Sequence, residues 1–191
     1  SWETDTGRSD EMWVKLIELG LTGLTVPEEF GGLGLSELDF VLLAQECGYV
    51  ALNEPLVHVV MVATPLLNSL NNDELKQAWL PKIAIGGAKV VVGLTENVFI
   101  EDAHIADLLL LQHDNEIHAL TQSQVTLRAN ESVDPCRKLF VVDWTPSTET
   151  CVASGAEASA LITATMNRGA LACAAQALGL TQRMLDMTVQ Y

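Results

Sequence analysis

The side chains of this 191-residue chain that could carry chemistry are few and scattered. Cys47, Cys136, Cys151 and Cys173 stand far apart, with no Cys-x-x-Cys pair and no histidine at ligand spacing, which supports neither a zinc site nor a disulfide framework. They read as buried thiols. His58, His104, His113 and His118 follow no nucleophile and base pattern, so each is expected to be solvated or structurally satisfied. Gly31, Gly32 and Gly34 neither follow a strand nor open a helix of a βαβ unit; they read as turn residues and not as a dinucleotide fingerprint. No metal site is expected, and no residue of the chain is assigned as catalytic.

Composition narrows the partners. Ten Lys and Arg oppose 25 Asp and Glu, and the resulting formal charge of −15 repels phosphate backbones and anionic lipid, which argues against nucleic acid. The longest apolar runs, such as Val59 to Ala63, fall well short of the ~20 residues that span a bilayer, so no membrane partner is expected. The polar opening Ser1 to Asp5 does not resemble a secretory signal, and a cytoplasmic location is expected. With 49 % hydrophobic and 18 % charged residues the chain is too apolar to be disordered, and its length suits one or two domains.

The elements that must position any site follow from capping and periodicity. Ser9 or Asp10 opens a helix carrying Trp13, Leu16 and Ile17, which Gly20 ends; Ser36 with Asp39 forms a capping-box pattern before Phe40, Leu43, Ala44 and Cys47. Asn53 is expected to cap a third helix, kinked or split at Pro65, and Asn72 a short fourth one that Pro81 closes. Trp13 and Trp79 fall on apolar stripes and read as core. After Gly86 and Gly87 the period changes. Lys89 to Thr95, Leu108 to Leu111, Ile117 to Leu120, Val125 to Leu127 and Leu139 to Val142 read as strands, with a turn at His113 to Glu116. From about Glu157 a helical period runs to Tyr191, with Gly169, Ala170, Ala174, Ala175 and Gly179 leaving room for a close neighbour. The expected architecture is multi-domain α and β: an N-terminal all-α domain (1–87), a middle antiparallel sheet or barrel (88–155), and the first long helix (156–191) of a C-terminal bundle. Nothing further in the chain is expected to cover that helix, so a missing domain or another chain is expected to complete it.

Four strings in this order resemble the acyl-CoA dehydrogenase family over nearly the whole chain. Gly20 to Leu35 (GLTGLTVPEEFGGLGL) is similar to its loop between N-terminal helices, and Leu80 to Gly87 to the exit from its helical domain. Leu94-Thr95-Glu96 is similar to the start of its flavin-contacting segment, and Arg168-Gly169-Ala170 through Gly179 to Tyr191 to the first helix of its C-terminal bundle. Asp134-Pro135-Cys136-Arg137 resembles a branch of shorter members linked to sterol side-chain degradation.

The resemblance implies FAD-dependent α,β-desaturation of an acyl-CoA thioester, a glutamate taking the α-proton while hydride passes to flavin N5. It further implies electron-transfer flavoprotein as acceptor, and homo- or hetero-oligomers built through the bundle. Carried over residue by residue, Thr95 matches the threonine that bonds the flavin edge, Leu94 offers backbone contact beside it, Phe99 falls where an aromatic flanks the flavin, and Arg168 matches an arginine near the cleft that contacts substrate. In some branches the residue before that arginine is the catalytic glutamate; here it is Asn167, which is no base, so the base is expected outside this chain.

The chain departs from the family in two places. After Glu96 the family continues with a Pro-Gly-Ala-Gly-Ser-Asp type loop and a hairpin, whereas Asn97 here runs directly into Val98 to Asp102. A true deletion would leave unpaired backbone beside the flavin, so the stretch is expected in the parent protein. Glu101 replaces a hydroxyl residue, and it is expected either to place an anion near the flavin or to face solvent. A partner subunit that kept the fold and lost the flavin, and a flavin monooxygenase or nitroalkane oxidase on the same scaffold, are the alternatives.

Overall fold

The computed structural model describes residues 4–190; Ser1 to Glu3 of the polar opening and Tyr191 lie outside them. The first part is helical. The Ser9 side chain accepts the Met12 N–H to open α1 (Asp10–Glu18), and Gly20 behind it takes a left-handed φ of 72°. The loop that follows folds back on itself, with Leu33 N–H donating to Gly23 O and Leu35 N–H to Leu24 O. A Cβ on Gly32 would stand 2.0 Å from Val26 O, so only glycine fits there. The expected capping box of Ser36 and Asp39 opens α2 (Glu37–Tyr49), whose buried stripe is Phe40, Ala44, Cys47 and Gly48, while Leu43 is exposed.

Two helix expectations are corrected. Asn53 caps nothing: its side chain accepts from Arg8 Nη1 at 2.8 Å and donates to Gly7 O at 2.6 Å, and α3 (Leu56–His58) starts after Pro55. The helix then widens into a π turn over Val59–Ala63 and resumes as α4 (Thr64–Ser69). Pro65 is the cause. It has no N–H, and the Thr64 N–H is already given to Val59 O, so Val60 O has no helical donor. The Thr25 hydroxyl supplies one at 2.6 Å, tying the glycine loop to the helix. Likewise Pro81 does not close α5 (Asp73–Ala84), which Asn72 caps at Leu75 N–H; the helix runs through it because Leu80 and Ile83 on either side are fully buried, and packing outweighs one lost bond. Trp79 on this helix is only half-buried, with Lys82 Nζ 4.7 Å over its ring, whereas Trp13 is core.

Two sheets follow. β1 (Val90–Gly93), β3 (Leu108–His113), β4 (Glu116–Leu120) and β7 (Cys151–Ser154) form one in the order β1-β3-β4-β7, with β1 and β3 parallel and the other pairs antiparallel. β2 (Ile100–Glu101), β6 (Leu139–Asp143) and β5 (Thr126–Asn130) form an antiparallel second sheet in the order β2-β6-β5. β1 and the apolar run of β3 are buried on both faces: Val90, Val92, Leu108 and Leu110 meet the helices, and Val91, Leu109 and Leu111 meet the second sheet. Sequence alone marked neither β2 nor β7, each too short to show a period. Glu96 to Phe99 carries the backbone from β1 towards β2, and the Val92 N–H donates to His58 Nε2 at 3.0 Å, so it is not left unpaired.

α6 (Gly155–Val189) runs 35 residues from the end of β7. The expectation that nothing in the chain covers it is corrected: α2 lies against it. A Cβ on Gly179 would stand 1.9 Å from Gln45 O, and one on Gly48 would stand 2.1 Å from Gln176 O, so the two backbones touch where both helices are stripped of side chains. Tyr49 Oη donates to Asp186 Oδ2 at 3.0 Å and Arg168 Nε to Glu37 Oε1 at 2.6 Å along the same seam. Met166, Leu178, Met184, Leu185 and Val189 stay exposed, as do Leu38 and Leu42 of α2. No helix among the described residues is long and apolar enough to cross a membrane.

These surroundings set three expected outcomes in denaturant unfolding. Gly179→Ala lowers stability by about 1–3 kcal/mol through overpacking, while Gly169→Ala, where a new Cβ meets nothing within 4 Å, raises it by about 0.5–1 kcal/mol through helix propensity. Thr25→Val leaves Val60 O buried without a donor and costs about 1–3 kcal/mol.

Candidate functional site

A cavity of about 590 Å³ opens where the α3 root, the chain between β1 and β2, and the middle of α6 meet. A volume in this range suits a cofactor or a drug-sized ligand. One wall is a cluster of charges drawn from distant parts of the chain. The Arg8 guanidinium is buried and grips the Asp102 carboxylate with two nitrogens, Nε to Oδ1 at 3.0 Å and Nη2 to Oδ2. Burial pushes the Asp102 carboxyl above its ordinary range, and Arg8 only partly offsets this. Asp102 itself sits at a left-handed φ of 63° with its N–H on Lys138 O.

Glu101 is not turned out to solvent: it is half-buried and lines the cavity. Arg137 Nη2 meets it at 2.6 Å and Arg8 Nη2 at 3.2 Å. Burial alone would raise its carboxyl, but the hydrogen bond and charge of Arg137, then those of Arg8, hold it below the ordinary value. The cationic partner thus comes from the Asp134 to Arg137 string. Beside it, Glu54 takes the Ser9 N–H on Oε1 at 2.8 Å while its buried Oε2 meets no partner, and burial pushes its carboxyl up.

Phe99 lines the cavity with 41 % of its surface exposed. Leu94 and Thr95 stand on the same connection but do not line the cavity. Leu94 is half-buried and its carbonyl accepts the Asn97 N–H at 2.9 Å; Thr95 is exposed, gives its N–H to Gln112 Oε1 at 3.2 Å, and keeps its hydroxyl without a protein partner among the described residues. An exposed aromatic face, a spare hydroxyl on the same connection and a paired carboxylate on the strand that follows suit a planar ring with hydrogen-bonding edges, as a flavin is. Arg168 is not brought to this group: it is turned to Glu37 on α2, and its Nη1 is buried without a partner.

The cysteine reading is corrected in part, since Cys47 is buried, Cys136 and Cys151 are half-buried, and Cys173 is exposed on α6 at the cavity rim. Burial pushes the Cys47 thiol up to about 11, which keeps it protonated and inert. Sequence reading missed Arg8, Glu54 and Asp102 entirely, and no local pattern could have found them.

Residues 1–87 match the model of the acyl-CoA dehydrogenase N-terminal domain. Along 191 residues, 99 % of this chain, it is 29 % identical to acyl-CoA dehydrogenase IpdE2 of Mycolicibacterium smegmatis, and it spans 56 % of that protein's length. Among solved structures, butyryl-CoA dehydrogenase from Megasphaera elsdenii superposes with a TM-score of 0.79 at 19 % identity, over 96 % of this chain and 60 % of that one. The ChsE4-ChsE5 complex from Mycobacterium tuberculosis gives 0.79 at 20 % identity, over 100 % and 59 %. Helical part, sheets and long helix share one fold with these proteins. Residues 1–87 thus carry the acyl-CoA dehydrogenase N-terminal domain, and the chain as a whole is similar to acyl-CoA dehydrogenases in sequence and fold.

His58 offers a pH test of the cavity wall. Its mostly enclosed ring is held neutral, with burial lowering its pKa to about 4. A folded value below the unfolded value of about 6.5 means stability present above pH ~6.5 and lost as pH falls towards 4, up to about 3 kcal/mol. His58→Gln keeps an acceptor for Val92 N–H, and urea titrations between pH 7 and 4 are expected to show a flatter loss than the parent.

Proposed function

We propose that this chain is the N-terminal helical domain (1–87), β domain (88–155) and first bundle helix (156–191) of an FAD-dependent acyl-CoA dehydrogenase. The observation that carries the reading is the joining of Phe99 and the unpartnered Thr95 hydroxyl on one connection beside a cavity of about 590 Å³, in a chain with this family's N-terminal domain. In that role Phe99 flanks the flavin ring, Thr95 bonds its edge and Leu94 offers backbone contact, while Arg8 and Arg137 keep Glu101 from presenting uncompensated charge to it. FAD, when bound, supplies the hydride acceptor. The α-proton of the acyl-CoA passes to a glutamate outside these residues, and Arg168 contacts substrate once further helices complete the cleft. Exposed Leu178, Met184, Leu185 and Val189 on α6, with Leu38 and Leu42 on α2, support burial in a homo- or hetero-oligomer formed through the bundle. Electron-transfer flavoprotein is the proposed acceptor, the short sterol side-chain branch the proposed context, and the cytoplasm the proposed location.

A second reading rests on the abrupt passage from Glu96 to Phe99, where the family carries a longer loop. In that reading the subunit serves assembly and binds no flavin. Flavin absorbance of the purified full-length protein separates the two, and anaerobic bleaching by an acyl-CoA establishes the dehydrogenase. Thr95→Ala is expected to fold normally and to weaken FAD uptake roughly three- to tenfold, the worth of one hydrogen bond. Uptake unchanged in Thr95→Ala removes Thr95 from the site, and no uptake by the parent protein favours the assembly role.

A further inference from the structure

A second group of chemistry-bearing side chains lies away from the cavity, on one face of the first sheet. Glu116 and His118 are two apart on β4, so their side chains share a face. β7 runs antiparallel to β4, and a regular register that starts from Glu116 opposite Ser154 and Ile117 opposite Ala153 would bring Val152 opposite His118. A bulge between Ile117 and His118 shifts the pairing so that Cys151 stands there instead. Glu116, His118 and Cys151 thereby offer three ligand atoms, all within 4.8 Å of one another.

The hydrogen bonds around His118 admit a ring that presents a lone pair to that group. Thr150 Oγ1 lies 3.0 Å from His118 Nδ1, 3.1 Å from Ser147 O and 3.2 Å from Ser147 Oγ, and when its hydroxyl donates to Ser147 O it accepts the proton of Nδ1. Nε2 is then free as a ligand and faces the Glu116 carboxylate oxygen Oε2 at 3.1 Å. In the other tautomer Nε2–H donates to Oε2; in this one a metal ion between the two atoms takes a lone pair from each. His118 is 1 % exposed, and the Trp144 ring leans on it with centroids 4.9 Å apart. Glu116 is half-exposed, which leaves an entry path and an open position for water.

The proximity of a thiol favours the metal ion. A proton needs only the carboxylate, whereas a sulfur beside an imidazole nitrogen and a carboxylate oxygen matches the N, O and S donor set of zinc. Tetrahedral bonds of about 2.0–2.3 Å place such donors roughly 3.3–3.8 Å apart, a spacing that the three atoms reach with small side-chain adjustments. The hydroxyl that holds the other ring nitrogen is the outer partner such a site requires. We infer that Glu116, His118 and Cys151 bind a Zn2+ ion, with water in the fourth position and Thr150 setting the histidine tautomer. On binding, Cys151 Sγ loses its proton to solvent together with its weak bond to Ala153 O, and the metal takes the sulfur lone pair. Because α6 starts directly after β7, the ion fastens the root of the long helix to β4.

Cobalt(II) added to the metal-free full-length protein is the direct probe. The expected result is stoichiometric binding with intense tetrahedral d–d absorption, a near-ultraviolet thiolate charge-transfer band and a raised melting temperature; Zn2+ removes the two bands and keeps the melting temperature raised. Cys151→Ser abolishes the charge-transfer band, and Cys173→Ser keeps it. Thr150→Val weakens binding roughly 10–100-fold. Glu116→Gln, on a half-exposed side chain and therefore safe for folding, also weakens it, and it decides the matter if Cys151→Ser does not fold. Absence of the band in the parent protein, its persistence in Cys151→Ser, or unchanged affinity in both Thr150→Val and Glu116→Gln overturns the site. His118 and Glu116 are then joined by a hydrogen bond alone.

Discussion

The buried guanidinium of Arg8 is the contact on which the cavity depends. It holds Asp102 with two nitrogens, reaches Glu101 with one of them and Asn53 with a third, and Asn53 returns a bond to Gly7 O. Segments from the start of the chain, the α3 root and the β2 strand are thus joined at one point inside the protein. The arrangement is costly to assemble, because each charge leaves water, and costly to break, because removing one partner strands the other at about 3–5 kcal/mol. Such a cluster adds little net stability but admits few geometries, and it sets where Phe99 and Glu101 stand relative to the helices.

A second constraint is the repair of backbone groups that proline disables. Pro65 forces the π turn, Thr25 answers the carbonyl it leaves over, and His58, one residue before that turn, answers the Val92 N–H on β1. The helix that proline interrupts is in this way bonded to the glycine loop on one side and to the sheet on the other. The same economy holds at α6, where loss of side chains at Gly48 and Gly179 lets two helices touch and leaves larger residues farther along α6 to face outward.

Charge follows a similar logic. The chain carries a formal charge of −15, but the carboxylates of the cavity wall are not left to repel one another. Glu101 and Asp102 share Arg8, and Arg137 completes the set, so these two carboxylates are matched by two cations. A negatively charged protein can in this way hold a site for a ligand whose own charge changes sign or size.

What the sequence determined by itself is local. The cap at Ser9, the Ser36 and Asp39 box, the Asn72 cap, the left-handed Gly20, most of the longer strands and the 35-residue α6 each rest on residues within a few positions of one another, and so do the strings that resemble the family. Extents were less legible: Pro81 failed to stop α5 because burial of Leu80 and Ile83 overrode it, and Asn53 left its expected cap for Arg8. The tertiary structure alone decided the rest. Arg8 and Asp102 are 94 positions apart, Gly48 meets Gln176, and Cys151 reaches His118 only through a one-residue bulge. Periodicity records which face of an element is apolar, but which distant side chain arrives opposite a buried charge depends on register and packing, and these are settled only when the whole core closes.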